Sequence, residues 1–368
     1  MTAPKRILVL YCYPVPLSKM RLAIKQHILA CELGGTKATV RYHNVYENTG
    51  RLQNLNYDAV ILHTTFLCLR WNPSFYRLKW ELRWIKEMSC IKIAIPQDEY
   101  DHSEILDEWM YEWDVAVVFS CFNHLTHKIL YPLMSERAKF FPALTGYVDE
   151  GTARQLQSEL QPLEPRGKHI IYRATQLPYW FGSHGQLKHQ IAGIVADEAR
   201  RKGLTCDVST RETDTIVGEA WLSFMASGKV VIGCESGSSV LDRRGEIQAQ
   251  IRAMLEHDPT LTFEQVSLRL PAGWDSYSFF AISPRHLEAV ITKTCQVLVE
   301  GSYSGILSPD LHYIPLKRDF SNLDDVLEKT KDTRLIQEIV GRAYVDICLN
   351  DKFSYRAFAS QIEQAISA

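Results

Sequence analysis

The sequence has no long charge-free apolar run, no C-x-x-C pair and no surplus of charge of either sign. Its longest apolar stretch, around Val115 to Phe122, stays well below the ~18 residues that a membrane-spanning helix needs. The opening MTAPKRILVLYCY runs directly into a strand-like segment instead of a signal-peptide pattern, so a cytoplasmic chain is expected. Nine cysteines, an odd number, are scattered without pairing, which argues for reduced core thiols against a disulfide framework or a cysteine zinc site. Lys and Arg number 41 against 43 Asp and Glu, a formal net charge of −2. No whole-molecule field therefore attracts nucleic acid or an anionic membrane, no nucleic-acid partner is expected, and any anionic ligand must be held locally.

What is present is an ordinary globular composition, 46% hydrophobic and 23% charged, over 368 residues. That length exceeds the ~250–300 residues at which one core usually stops growing, so two domains are expected. Short apolar runs alternate with amphipathic stretches, the signature of repeated βα units around a mostly parallel sheet. Strands are expected at Arg6–Tyr11, Ala38–His43, Ala59–His63, Ile91–Pro96, Val115–Ser120 and Lys139–Phe141, with helices between them at Leu17–Cys31 and Pro73–Glu87. The polar segment TARQLQSELQPLEPRGK, with two prolines and a glycine, reads as a linker. Alternation then restarts, with strands at His169–Arg173, Thr205–Val208, Val230–Gly233 and Cys295–Glu300 and helices at Gln186–Lys202, Glu219–Ser227, Arg244–His257 and Pro284–Thr292. The expected division is 1–150, a linker over 151–167, 168–349, and a helical tail over 350–368 that either crosses back to the first domain or caps the second. Two such domains face each other across a cleft, because ligands of open parallel sheets sit beyond the carboxyl ends of the strands.

Three loops of the second half carry ligand-binding chemistry. In KVVIGCESGSS a β-branched run ends in Glu235-Ser236-Gly237-Ser238-Ser239, read as a strand-to-helix loop whose free N–H groups and hydroxyls suit phosphate. It is neither a P-loop nor G-x-G-x-x-G, and a plain turn is the alternative. In ISPRHLEAV, Ser283 and Pro284 fit helix-start positions, placing Arg285 in the first turn and Glu288 on the same face. Such an arginine suits a diphosphate and such a carboxylate the hydroxyls of a ribose; a surface Arg–Glu pair is the alternative. A third loop, Glu300 to Gly305, follows a strand and is succeeded by His312, Tyr313, Lys317 and Asp319.

The series GEAW (Gly218–Trp221), CESGSS, ISPRHLEAV, VEGSYSG (Val299–Gly305) and HYIPLKRDFSNLDDVL (His312–Leu327) resembles the donor-binding half of bacterial GT-B glycosyltransferases, family 1/4-like and of the surface-polysaccharide type. The resemblance is clearest over about Tyr172–Gly341. It implies two Rossmann-like domains, a nucleotide-sugar donor under the second and a saccharide or glycoconjugate acceptor against the first, with no metal or other cofactor. By position, Glu288 takes the ribose, Arg285 with Tyr303, Ser304 and Gly305 the diphosphate, and Glu235 to Ser239 the phosphate or sugar. Arg173, Glu219, His312, Tyr313 and Lys317 complete the implied donor set. Eight residues after Glu288 stands Gln296, so the paired glutamates of retaining families are absent in that register and no stereochemistry is inferred.

In the first half, Gln97-Asp98-Glu99-Tyr100-Asp101-His102 forms a polar cluster at a strand's carboxyl end. Asp98, Glu99 and His102 are the candidates for the base or nucleophile that glycosyl transfer needs; capping of the following helix is the alternative. The aromatic stretch Phe66–Trp84 reads as core or acceptor wall, with a peripheral membrane contact left open for lipid-linked acceptors. Rival readings are a sugar-nucleotide 2-epimerase of the same architecture and a non-catalytic sugar- or nucleotide-binding protein.

Overall fold

The computed structural model describes residues 4–160 and 162–367; residues 1–3, Gln161 and Ala368, which fall within the expected first domain, linker and tail, lie outside them. The first sheet is built from β1 (Arg6–Tyr11), β2 (Thr39–Asn44), β3 (Ala59–His63), β4 (Ile91–Ile95), β5 (Val117–Ser120) and β6 (Lys139–Pro142). Its order is β2-β1-β3-β4-β5-β6 and every pairing is parallel. The period of two sends Leu8, Leu10, Val60 and Leu62 to one face and Ile7, Val9, Ala59 and Ile61 to the other, so both faces are buried. The second face is covered by the last helix, Tyr355–Ser367, through Tyr355, Phe358, Ile362 and Ile366.

The second sheet comprises β7 (Lys168–Arg173), β8 (Cys206–Ser209), β9 (Gly228–Gly233), β12 (Cys295–Val299) and β13 (Ile314–Leu316), in the parallel order β13-β12-β9-β7-β8. Between β9 and the helix Pro284–Ile291, one crossover carries an inserted unit: β10 (Ser236–Ser238), a helix Glu246–His257, a short helix Phe263–Ser267 and β11 (Phe279–Ala281). β10 pairs antiparallel with β11. The helix Glu246–His257, expected as part of the layered α/β unit, therefore belongs to an insertion.

This insertion docks on the first half. Asp242 N–H donates to Tyr100 C=O at 3.0 Å, and its C=O accepts from Ser103 N–H at 3.3 Å. Phe279 stacks on Tyr100 with ring centroids 5.8 Å apart, and Leu241 and Phe279 join the core of the first sheet. Arg244 lies 2.9 Å from the carboxylates of both Glu104 and Glu108.

Two expected elements differ. The first residues of the expected linker form a helix, Glu150–Glu159, because Asp149 accepts from the Gly151 N–H as its N-cap and Ala, Gln and Leu follow. The expected helix Leu17–Cys31 is broken at Met20, whose extended backbone (φ −78°, ψ 160°) buries its side chain before Leu22–Ile28 starts. Of the aromatic stretch, Phe75 and Trp84 are buried, whereas Tyr76 and Trp80 face solvent. Among the described residues no helix is long and apolar enough to cross a membrane.

Candidate functional site

The carboxyl ends of β7 and β9 and the start of the helix Pro284–Ile291 surround a cavity of about 350 Å³, roofed by Arg21–Ile24 of the first half. Glu288 stands at its inner wall, 9% exposed, and its Oε2 accepts a 2.6 Å hydrogen bond from the Trp221 indole N–H. Burial pushes this carboxyl above the usual carboxylate range, while the Trp221 bond and the nearby Arg285 charge pull it back. The Arg285 guanidinium lies 5.2 Å from the Tyr172 ring centroid and 5.4 Å from that of Trp221. Its Nε is buried without a hydrogen-bond partner. The surface Arg–Glu pair is thus not formed: Glu288 takes its bond from the indole, and Arg285 is held between two rings.

The ammonium that completes the site is Lys188, on the helix Gly182–Arg201, which lines the same cavity. Burial lowers its pKa; Cys234 opposes the shift, Arg285 adds to it, and the Asp98 charge opposes it. No ion pair forms on Lys188 or Arg285 among the described residues. Sequence reading missed Lys188 because no motif frames it. The available signal was a lysine between Leu187 and Ile191 on the otherwise buried face of an amphipathic helix.

The remaining expected donor residues divide into cavity wall and scaffold. Ser236 lines the cavity. Arg173 does so too, although its Nη2 is committed to Asp207 Oδ1 at 2.5 Å. Residues 235–239 are not a strand-to-helix loop: Ser236, Gly237 and Ser238 are β10, paired with Ala281, Phe280 and Phe279. The Ser238 hydroxyl turns inward to the C=O of Phe181, and the Ser239 hydroxyl accepts from the His184 N–H at the start of the Gly182–Arg201 helix. Gly237 has φ 118° and its absent Cβ would meet the Phe279 carbonyl, so this position needs glycine for backbone approach within the hairpin.

Glu235 is likewise a scaffold carboxylate. Its Oε1 accepts from the Tyr303 N–H at 2.6 Å and the Ser302 hydroxyl at 3.0 Å, tying the loop after β9 to the loop after β12. Tyr303 is fully buried and donates to Val299 C=O at 2.5 Å; Ser304 accepts from the Ile282 N–H; Gly305 follows at φ 70°. None of these three lines the cavity. His312 accepts from the Ser308 N–H and reaches Asp346 at 3.1 Å, closing its own loop, and Tyr313 is buried against Tyr303. Lys317 and Glu219 are exposed and outside the cavity wall.

In the first half the polar run after β4 is chiefly an interface. Glu99 is fully buried and accepts from Ser120 Oγ at 2.6 Å, Tyr131 Oη at 2.7 Å and the Cys121 N–H at 2.8 Å. Burial pushes its carboxyl up to about 7 against those three bonds. With no surface to offer a substrate, Glu99 is corrected from candidate base to structural acid. His102 is bound to Asp101 at 2.6 Å and packs against Gly245 of the insertion, so it too is taken out of the cleft. Asp98 alone of the three remains exposed. Its Oδ1 accepts from the Tyr100 hydroxyl at 2.6 Å, and buried Arg70 holds its backbone C=O at 2.8 Å. That support keeps Asp98 in a left-handed conformation, φ 49°. Among the described residues no group of three or more His, Cys, Asp or Glu is placed to hold a metal ion.

No protein-family model matches the sequence, and no curated protein matches it. Solved structures do resemble it in shape. An alpha-glucosyltransferase in complex with UDP-glucose and DNA containing an abasic site matches over 100% of both chains, with a TM-score of 0.54 and 12% identity. An alpha-glucosyltransferase in complex with UDP and a 13-mer DNA containing a central A:G mismatch matches over the same share, with a TM-score of 0.50 and 10% identity. The chain therefore has the two-domain GT-B fold, with its helical C-terminal region packed on the first sheet.

Proposed function

We propose that the chain is a glycosyltransferase that moves a sugar from a nucleotide-sugar donor to a hydroxyl of a saccharide or glycoconjugate. The observation that carries this reading is one cavity holding a buried, indole-oriented carboxylate beside two cations that form no ion pair among the described residues. Glu288 accepts the two ribose hydroxyls, its orientation set by Trp221. Arg285 and Lys188 hold the diphosphate and stabilise the charge that builds on it as the nucleotide leaves. Those side chains supply the positive charge that a divalent cation supplies elsewhere, so donor binding is expected to persist in EDTA. The similar structures carry UDP-glucose and UDP, which makes a UDP-sugar the first donor to test.

Asp98 accepts the proton of the acceptor hydroxyl. The hydroxyl oxygen bonds to the anomeric carbon, the bond from that carbon to the diphosphate breaks, and the nucleoside diphosphate departs. Both similar structures contain DNA. This chain carries a net charge of −2, and its cavity cations suit a single diphosphate, which favours a saccharide acceptor.

The test is nucleotide release from UDP-, GDP-, dTDP- and CMP-sugars with an acceptor panel, with product analysis of donor incubated alone. Acceptor-dependent release with a new glycoside supports transfer. Interconversion of the donor sugar without acceptor supports the epimerase, and binding without turnover supports the non-catalytic reading.

A further inference from the structure

The first half carries a second concavity, about 800 Å³, at the carboxyl ends of β1 and β2. Its walls include Tyr11, Tyr13, Leu17, Asn44, Tyr46 and Glu47. Buried Asn44 locks the two loops together. Its Nδ2 donates to Tyr13 C=O at 2.7 Å, and its Oδ1 accepts from the N–H groups of Tyr13 at 3.2 Å and Tyr46 at 3.3 Å. Tyr11 C=O accepts from the Val45 N–H at 2.9 Å, and Pro14 and Pro16 fix φ along the facing loop. The result is a preformed groove, in which a ligand need not order the chain on binding. Tyr46 nevertheless keeps 65% of its surface exposed on this rigid rim.

The chemistry of the walls selects the ligand class. Tyrosine offers a flat apolar face and a polar tip, which matches the C–H face and hydroxyl rim of a pyranose. Glu47 adds a carboxylate able to accept sugar hydroxyls. Among the described residues no lysine or arginine lines the groove, so a nucleic-acid backbone or other polyanion finds no counter-charge there. The groove and the donor cavity are walled by successive residues of one segment. The turn Leu17–Lys19 borders the groove, and Arg21–Ile24, immediately following, roof the cavity around Glu288.

We propose that this groove binds the body of the acceptor, a neutral oligosaccharide whose reactive end passes Arg21 to reach the donor. The proposal rests on the glycosyl-transfer reading and adds to it a location and a substrate class. Tyr46→Ala, Tyr46→Phe and Tyr13→Ala are to be compared with the unaltered chain on an array of neutral and anionic oligosaccharides, with UDP binding measured separately by calorimetry. The unaltered chain is expected to retain neutral oligosaccharides. Tyr46→Ala and Tyr13→Ala should each weaken that retention at least about tenfold, Tyr46→Phe less than about threefold, and UDP affinity should not move. Equal retention by the alanine variants, or selection of anionic glycans, overturns the assignment. A chain that binds UDP and no neutral glycan overturns the groove alone, whereas one that binds no nucleotide overturns the donor reading on which the groove depends.

Discussion

Glu99 is fully buried and Lys188 is half-buried in the cavity wall, and their surroundings give these two ionisable groups opposite meanings. Three donors saturate Glu99, whose carboxyl stands at about 7 against an ordinary value of 4.5. The folded chain therefore binds this proton more tightly than the unfolded chain. Its contribution to stability is greatest below about 4.5 and declines as pH rises to about 7, by on the order of 3 kcal/mol. Glu99→Gln keeps a polar group beneath Ser120 and Tyr131 and should flatten that part of a pH series of denaturant midpoints; an unchanged slope would remove the assignment. Lys188 has no such partners. Lys188→Ala should lower UDP affinity at least about tenfold in calorimetry, yet leave Tm unchanged or raised, because a desolvated cation is removed. A lowered Tm with intact affinity would make Lys188 structural instead.

At the scale of elements, the insertion between β9 and β12 holds the two halves together. Gly245 sits at φ 83° before the helix Glu246–His257, and a Cβ there would lie 2.2 Å from His102 Nε2. Gly203 has a similar φ of 73° with open space around it. Gly203→Ala should cost about 1–2 kcal/mol from backbone strain alone. Gly245→Ala should cost clearly more in chemical denaturation, since it also pushes the insertion off the first half; equal costs would show that the interface yields freely.

The other strands of both sheets were legible because apolar runs such as Ile7–Leu10 and Val230–Ile232 carry their own signal, whereas β13, three residues with a proline in the middle, was missed. β10 was not legible either, since Ser-Gly-Ser is paired only through a distant partner strand, as in Ser236↔Ala281 and Ser238↔Phe279. For the same reason Arg285 and Glu288 could be read from a Ser-Pro helix start, whereas the run from Asp98 to His102 could not be sorted. A polar loop that meets ligand and one that meets another part of the chain have the same composition. Only the arrangement of Ser120, Tyr131 and Asp242 around it decides which is which.

At the scale of the whole molecule, the chain ends where it began: Tyr355, Phe358 and Ile366 of the last helix cover the sheet face that Ile7 and Val9 present. Removing residues 355–367 uncovers that face and should convert cooperative unfolding into a broad transition with binding of a hydrophobic dye; a sharp transition would show the helix to be dispensable. The return of this helix also keeps the first half beside the second, so that Arg21–Ile24 roof the cavity built by the other sheet. The central claim is that this cavity receives a nucleotide sugar through Glu288. Its most direct measurement is calorimetric titration of UDP-sugar into the unaltered chain and Glu288→Ala, with circular dichroism confirming that the variant folds. Saturable binding that falls at least about tenfold in the variant is the expected result, and equal affinity in a folded variant would contradict the account.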